Sequence, residues 1–225
     1  LLNGGQLQTS TRAQGNAGGI TLDVADRITI SGVDPKFTQR LEQFGADAFF
    51  GNTGAASGLF ADAGTNATGN GGSIVANTNR LEVLNSGNIS VSSLGTGEAG
   101  NLEVNADAIL LENQGSLVAE TQGGQGNISF TSDDIRLLNN SSISTNAQGE
   151  AGGGNITIET DTLAALDNSD ITANAEQGSG GQVRITAQGV FGTEFREEQT
   201  EQSDITASSE LGAQFSGVVE ISTPD

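Results

Sequence analysis

The chain has 225 residues, with 8 basic residues against 28 acidic ones and a formal net charge of −20. This excess of negative charge disfavours binding to nucleic acids and to anionic membrane surfaces, and no apolar run approaches the roughly 18 residues that a membrane span needs. The chain contains no His and no Cys, which removes thiol nucleophiles, soft-metal sites and the usual general base. It also lacks Trp and Tyr, the preferred platforms for stacking on sugars or bases.

Three short apolar segments recur every 26 to 28 residues between Ile74 and Ile185. Examples of the first segment are Ile128-Ser-Phe130 and Ile156-Thr-Ile158. The second segment falls at Leu81, Ile109, Ile135, Leu163 and Val190, and the third at Ile89, Leu117, Ile143, Ile171 and Ile205. Because apolar and polar residues alternate within each segment, the pattern predicts strands with one buried face.

A single repeat cannot bury its apolar face, so successive repeats must stack, each strand pairing in parallel with its equivalent one turn on. The sequence therefore predicts an all-β single domain over residues 1–225. Its fold is a parallel β-helix, or β-solenoid, that is triangular and has about 27 residues per turn. We expect the right-handed form because it is the commoner one. Disorder is the alternative, since low hydrophobicity and high net charge are its signature, but ordered periodicity in three columns argues against it.

Near the amino terminus, residues 33–57 interrupt the period between the second and third apolar segments of one turn. Asp34-Pro35 is typical of a helix cap followed by proline at the first helical position, which predicts a partly helical insertion. The stretch is rich in Phe, and its apolar residues are the candidate partner contacts: Phe37, Leu41, Phe44, Phe49 and Phe50. The alternative is that the helix covers the solenoid wall with this apolar face.

Two columns of polar residues accompany the repeats. One comprises Asn16, Asn70, Asn101, Asn127 and Asn155 and ends on Gln182, and the other comprises Asn3, Asn85, Asn113 and Asn139 and ends on Asp167. Amides stacked in register form hydrogen-bonded ladders along a β-stack. Because these residues recur at every turn, we interpret them as internal turn ladders rather than as ligands for a metal or a sugar.

Towards the carboxyl terminus, residues 191–203 form an extended loop on another edge, with charged residues that we expect to be solvated. Two carboxylate pairs are the only candidates for glycan-cleaving chemistry, Asp133 with Asp134 and Asp167 with Asp170. Structural calcium bound by outer carboxylates is the one cofactor left open, although the Gly-rich stretches lack the tandem nonapeptide pattern with its recurring Asp. We expect no other cofactor.

The alignment of the repeats places both chain ends inside a turn. Neither end shows a helix or a charged strand that would block it, and unpaired parallel edges are templates for further strands. This predicts a homo-oligomer formed by head-to-tail stacking, or a place in a longer polypeptide. The candidate assembly residues are Leu1, Leu2, Leu7, Val219 and Ile221.

Several stretches resemble a known family. They are the repeated Gly-Asn-(Ile/Leu)-x-(Val/Ile/Phe), the run from Ser57 to Ala61, the run from Gln202 to Ser209, and the ending from Val219 to Asp225. Together they are similar to the repeat region of cyanobacterial filamentous-haemagglutinin-like exoproteins, the cargo of two-partner secretion. The resemblance covers nearly the whole chain and implies a right-handed parallel β-helix displayed or released outside the cell. The chain lacks that family's amino-terminal secretion domain and a signal peptide, which predicts a piece of a longer exoprotein.

These observations predict a secreted, extracellular structural or adhesive module of the cell surface, without enzymatic activity. A surface glycan or another cell-surface component is the expected partner. The alternative is a carbohydrate-active β-helix enzyme, a polysaccharide lyase or hydrolase.

Overall fold

The computed structural model describes residues 1–45 and 54–224, and it confirms the predicted all-β fold class, a parallel β-solenoid. Its elements in chain order are β1 (Gln6–Gln8), β2 (Ile20–Ser31), α1 (Phe37–Phe44), β3 (Gly58–Phe60), β4 (Ile74–Leu84), β5 (Asn88–Ser90), β6 (Asn101–Glu112), β7 (Ser116–Val118), β8 (Asn127–Leu138), β9 (Ser142–Ser144), β10 (Asn155–Ala165), β11 (Asp170–Thr172), β12 (Gln182–Phe191), β13 (Glu194–Phe195), β14 (Asp204–Thr206) and β15 (Val218–Ser222). A short 3-10 helix, Ala213–Phe215, precedes β15.

Two parallel sheets run along the solenoid. Within the described residues, the long sheet has the order β15-β12-β10-β8-β6-β4-β2, and the short sheet has the order β1-β3-β5-β7-β9-β11-β14-β13. The register of the long sheet aligns Ile74 with Leu102, then with Ile128, Ile156 and Val183, which gives spacings of 28, 26, 28 and 27 residues. The columns predicted for the second and third apolar segments also pair as expected.

The first and second apolar segments of each turn lie on one continuous strand rather than on two. In β6 the inward residues are Leu102, Val104 and Ala106, after which the buried positions resume at Ile109. Two residues, Asp107 and Ala108, separate the two runs and change the phase of the side-chain alternation. The pairing with β8 skips Asp107 and resumes in the same register at Ala108. The apolar pattern predicted both runs, but a bend inside a strand leaves no turn residue to reveal that they are joined.

The interior is a narrow stack of aliphatic side chains. Nearly every buried position in it is Ile, Leu, Val or Ala, and most of these side chains have no exposed surface. Burying such side chains contributes about 1.5–3 kcal/mol each relative to exposure. Each turn buries its apolar side chains against the turns on either side of it, so adjacent turns share the stability of the fold.

The predicted Asn3 column occurs at the turn between the long and short strands. Asn85, Asn113 and Asn139 adopt φ values of 52°, 53° and 55°, a left-handed conformation that Asn tolerates better than most residues. The Asn113 amide donates to Asn85 Oδ1 at 3.2 Å, and the Asn139 amide donates to Asn113 Oδ1 at 3.1 Å. The left-handed backbone and the amide ladder therefore both favour Asn at this turn position.

The predicted Asn16 column is wrong in its register and in its location. Asn155, Asn127 and Asn101 do form a ladder, with both amide contacts at 2.8 Å, but it lies on the outer side of the long sheet and is partly exposed. Asn16 and Asn70 belong to a separate column, in which Asn16 Oδ1 accepts the backbone N–H of Asn70. The pairing of Ile74 with Leu102 fixes this register, because a shift would turn the apolar residues outward.

The structure confirms the partly helical insertion, although its details differ from the prediction. An antiparallel bridge between Val33 and Ala56 closes its neck. The helix α1 begins at Phe37 after Lys36, and Asp34 accepts the N–H of Lys36 at 2.9 Å instead of capping the first helical turn. The loop 191–203 lies at the same corner as the insertion, between the long and short strands, and not on another edge as predicted. Both segments follow a second apolar segment, so they leave the solenoid on the same side.

Candidate functional site

The candidate contact residues of the insertion are only partly covered. Phe37 and Leu41 are half-buried, Phe44 is 59% exposed, and no residue of α1 is buried. Phe49 and Phe50 lie outside the described residues. Whether this apolar face meets a partner or covers the wall stays a prediction.

The candidate assembly residues lie at opposite ends of the solenoid. At the amino-terminal end, Leu1 and Leu2 are exposed and pair with the last residues of β2, and Leu7 lies on the outermost short strand, β1. At the other end, Val219 is half-buried and Ile221 is 39% exposed on the outermost long strand, β15. Apolar surface is therefore accessible at both ends.

The carboxyl-terminal end carries a blocking strand that the sequence analysis did not predict. The two residues of β13 pair in parallel with β14 and form the last strand of the short sheet. Glu194 adds a charge to this edge, and short charged edge strands oppose further pairing. The expectation of an unblocked end therefore holds for β15 but is wrong for the short sheet.

In each of the two predicted carboxylate pairs, the two side chains have different surroundings. Asp133 is exposed on β8, while the Asp134 carboxylate lies 2.8 Å from Arg136 Nε. Asp167 occupies the left-handed turn position of its Asn column. Asp170 is buried on β11, where it accepts hydrogen bonds from the Asp204 N–H and from Gln199 Nε2.

Asp204 forms a sealed cluster that sequence reasoning missed. Its side chain has no exposed surface and forms an ion pair with Arg196. The hydroxyl of Thr200 lies 2.9 Å from Asp204 Oδ2. Loop 191–203 thus folds over the end of the short sheet and supplies the partners that a buried charge needs. The sequence indicated solvation for the charges of this loop, which is wrong for Arg196. It is confirmed for the exposed glutamates of the loop, which are Glu194, Glu197, Glu198 and Glu201.

A pocket of about 490 Å³ opens at the other end of the short sheet. Three successive turns contribute to it, through residues of the segments 10–12, 60–66 and 88–94. The residues that line it are Ser10, Thr11, Arg12, Phe60, Asp62, Ala63, Gly64, Thr65, Asn66, Asn88, Ser90, Ser92 and Leu94. Its volume lies in the range of about 300–1,000 Å³ that small-ligand sites occupy.

Asp62 is the buried titratable group of this pocket, with 8% of its surface exposed. Its Oδ1 atom accepts the hydroxyl of Ser90 at 2.6 Å and the backbone N–H of Ser92 at 2.8 Å. Burial raises the pKa of Asp62 above its ordinary value, although these two hydrogen bonds act in the opposite direction. The charged form of Asp62 therefore carries a desolvation cost, and among the described residues no ion pair to Asp62 offsets it.

The position of Asp62 belongs to a polar ladder just beyond the short strands. In this ladder a side-chain oxygen accepts the backbone N–H of the residue one turn on, as Asn146 does for Asn174 and Asn174 for Ser208, both at 2.8 Å. Alignment of the repeats places Asp62 in this column, so the sequence contained the signal. The column mixes Asp, Ser, Glu and Asn, however, and did not stand out as the Asn columns did.

No protein-family model, no curated protein and no solved structure matches this chain. Among the described residues, no helix has the length and apolar character required to cross a membrane. The same residues contain no group of three or more acidic, His or Cys side chains arranged to hold a metal ion.

Proposed function

We propose that the chain is a non-enzymatic structural and adhesive module of a secreted exoprotein that acts at the cell surface. The observation that supports this proposal most is the continuity of the two sheets, which run through nearly every turn with an apolar inner face and a polar outer face. Such a stack grows by adding turns and presents an extended surface. The resemblance to filamentous-haemagglutinin-like repeats points in the same direction.

The edges of the long sheet support a further role in end-to-end assembly. β15 pairs with residues 182–186 of β12, and within the described chain its other edge has no partner strand. At the opposite end Leu1 to Asn3 pair only with the end of β2, which leaves the first half of that strand open. A further turn fits both edges, whether it belongs to the same polypeptide or to another copy.

β13 limits this assembly because it occupies the place of the next short strand. We therefore expect the natural chain to stack weakly through the long sheet alone. The test replaces residues 193–203 by Leu-Asp-Asn-Ser, the sequence of residues 166–169 that links β10 to β11. Asp204 is changed to Ser in the same variant, since Ser142 is its equivalent two turns earlier.

Sedimentation velocity and negative-stain imaging compare this variant with the unmodified chain. We expect the variant to form longer rods than the unmodified chain. Val219→Lys should shorten these rods because it places a charge on β15. A monodisperse monomer in both chains at high concentration would rule out the stacking part. Glycan cleavage that is lost on Asp133→Asn or Asp170→Asn would contradict the non-enzymatic part.

A further inference from the structure

The pocket around Asp62 has a chemistry that the structural role does not require. Other turns fill the equivalent ladder position with a neutral amide, as Asn146 and Asn174 do. Here residues from three successive turns enclose about 490 Å³. The pocket therefore needs an explanation of its own.

Two hydrogen-bond acceptors in the pocket lack partners. Asp62 uses Oδ1 for both of its hydrogen bonds, and among the described residues no donor reaches Oδ2. Asn88 Oδ1 is buried and has no hydrogen-bond partner either. Asn88 Oδ1 has no surface open to the pocket, so Asp62 Oδ2 is the acceptor that a ligand could reach. An acceptor without a partner is costly beside buried groups, so a ligand that brings a hydroxyl or amide donor to Asp62 would be favoured in this pocket.

The charge of the pocket narrows the class of ligand. Its lining holds one acidic residue, Asp62, and one basic residue, Arg12, so the formal charges cancel. A calcium ion would require more carboxylate or carbonyl oxygens than this lining brings together. A phosphate or a carboxylate would meet Arg12 but also the buried charge of Asp62. A neutral ligand with several hydroxyl groups fits better than either ion.

The remaining lining suits the same ligand. Hydroxyl side chains of Ser10, Thr11 and Thr65 and the amide of Asn66 supply groups that both donate and accept hydrogen bonds. Phe60 and Leu94 add apolar surface, which the carbon-bound hydrogens of a sugar ring can cover. Phe60 is only 2% exposed, so recognition would depend on hydrogen bonds rather than on ring stacking.

We propose that this pocket binds a neutral saccharide unit, with Asp62 Oδ2 accepting a hydrogen bond from one of its hydroxyl groups. The inference gives the adhesive part of the proposed function a ligand and rests on that part alone. Binding of a free saccharide is measured separately from rod formation, so either result can fail without the other.

The test is a titration of the full ¹⁵N-labelled chain followed by NMR. The probes are methyl α-D-glucoside, methyl β-D-galactoside and N-acetylglucosamine, each taken to about 100 mM so that a Kd in the millimolar range is detected. The reporter is the amide of Ser92, because it donates to Asp62 at the pocket. Calcium chloride and inorganic phosphate are titrated in parallel.

Two variants alter the pocket from opposite sides. Asn66→Ala removes an exposed amide of the lining. Leu94 is 40% exposed at the opening, and Leu94→Trp fills this opening. Each should weaken binding by about tenfold or more while the melting temperature changes little. Glu120→Gln is the matched control, because Glu120 occupies the Asp62 column two turns further on and lies outside the pocket.

Saturable shifts of Ser92 with at least one saccharide, retained in Glu120→Gln and lost in both pocket variants, support the proposal. Shifts with calcium or phosphate only, or equal affinity in all variants, would overturn it. The absence of any saccharide-dependent shift in the folded chain would overturn it as well.

Discussion

Asp62 and Asp204 are buried carboxylates at opposite ends of the short sheet, and their surroundings differ in one respect. Arg196 forms an ion pair with Asp204, and Thr200 donates to it as well. Among the described residues, Asp62 receives only the Ser90 hydroxyl and the Ser92 N–H, both on Oδ1. The same sheet thus seals one carboxylate inside the structure and leaves the other available to a ligand.

The surroundings of Asp204 are supplied by one of the two segments that leave the solenoid between the long and short strands. Loop 191–203 folds back and brings Arg196, Gln199 and Thr200 to the two carboxylates beneath it. The insertion at residues 33–57 contains α1, which has no buried residue. Two interruptions at one corner therefore differ: loop 191–203 covers the sheet below it, whereas the helix α1 of the other segment has no buried residue.

The largest loss of stability is expected from a charge placed in the interior. It tests which face of each strand points inward. Ile128→Asp places an unpaired carboxylate in a dry interior and should lower the free energy of unfolding by several kcal/mol. Ser129→Asp, on the exposed side of the same strand, should change it by about 0.5 kcal/mol or less. Urea unfolding measures both values, and equal losses would show that the inward and outward faces are assigned wrongly.

The next effect concerns the sealed carboxylate. Asp204→Asn removes the negative charge that faces Arg196 inside the loop, and breaking such a pair should cost about 3 kcal/mol. The measurement is urea unfolding at pH 7. If the Asn variant matches the unmodified chain, the loop is not held by this ion pair.

Removing the charge of Asp62 should instead stabilise the fold. Because the folded-state pKa of Asp62 is raised above 3.8, protonation favours the folded state. This contribution is fully present below the unfolded-state pKa and is lost as the pH rises through the folded-state pKa. Asp62→Asn should therefore melt at a higher temperature than the unmodified chain at pH 7.

The same variant provides an internal check through its pH dependence. Well below pH 3.8, the ordinary pKa of this group, the Asp62 carboxyl is neutral in both states, so the advantage of Asn should disappear. Thermal melts across this range test the sign. A variant that is less stable than the unmodified chain at pH 7 would show that the ionised carboxylate stabilises the fold.

The smallest effect is expected from the insertion. Replacing residues 35–53 with a short Gly-Ser bridge leaves the neck formed by Val33 and Ala56 in place, so the circular dichroism signal of the strands should persist. Loss of that signal would identify the insertion as an integral cover for the first turns. It would then resemble loop 191–203 in its role.

The repeat pattern predicted the fold because apolar residues at fixed spacing leave few ways to bury them. Ile128, Ile135 and Ile143 lie in the columns assigned to them. The joining of two apolar segments into one strand could not be predicted, since residues such as Asp107 and Ala108 are ordinary in either a turn or a bent strand. The register of Asn70 was misjudged because an Asn after a Gly recurs at two different distances from the next apolar residue.

The candidate site was harder to predict than the fold. Asp62 and Asn88 are single residues in columns of mixed composition, and the pocket exists only because three turns meet around them. Loop 191–203 was interpreted as solvated charge because sequence alone does not reveal that Arg196 folds back onto Asp204. The period of the sequence predicts the features that recur in every turn. The Asp62 pocket and the Asp204 cluster both depend on residues that do not recur.

Asp62 is a desolvated carboxyl without a charged partner among the described residues. Titration of the Asp62 side chain tests this most directly. The ¹³Cγ resonance of Asp62 is followed by NMR against pH in the folded chain. The account predicts a midpoint above 3.8, the ordinary value for this group. A midpoint at or below 3.8 would mean that the carboxylate is solvated or paired, and the contrast with Asp204 would no longer hold.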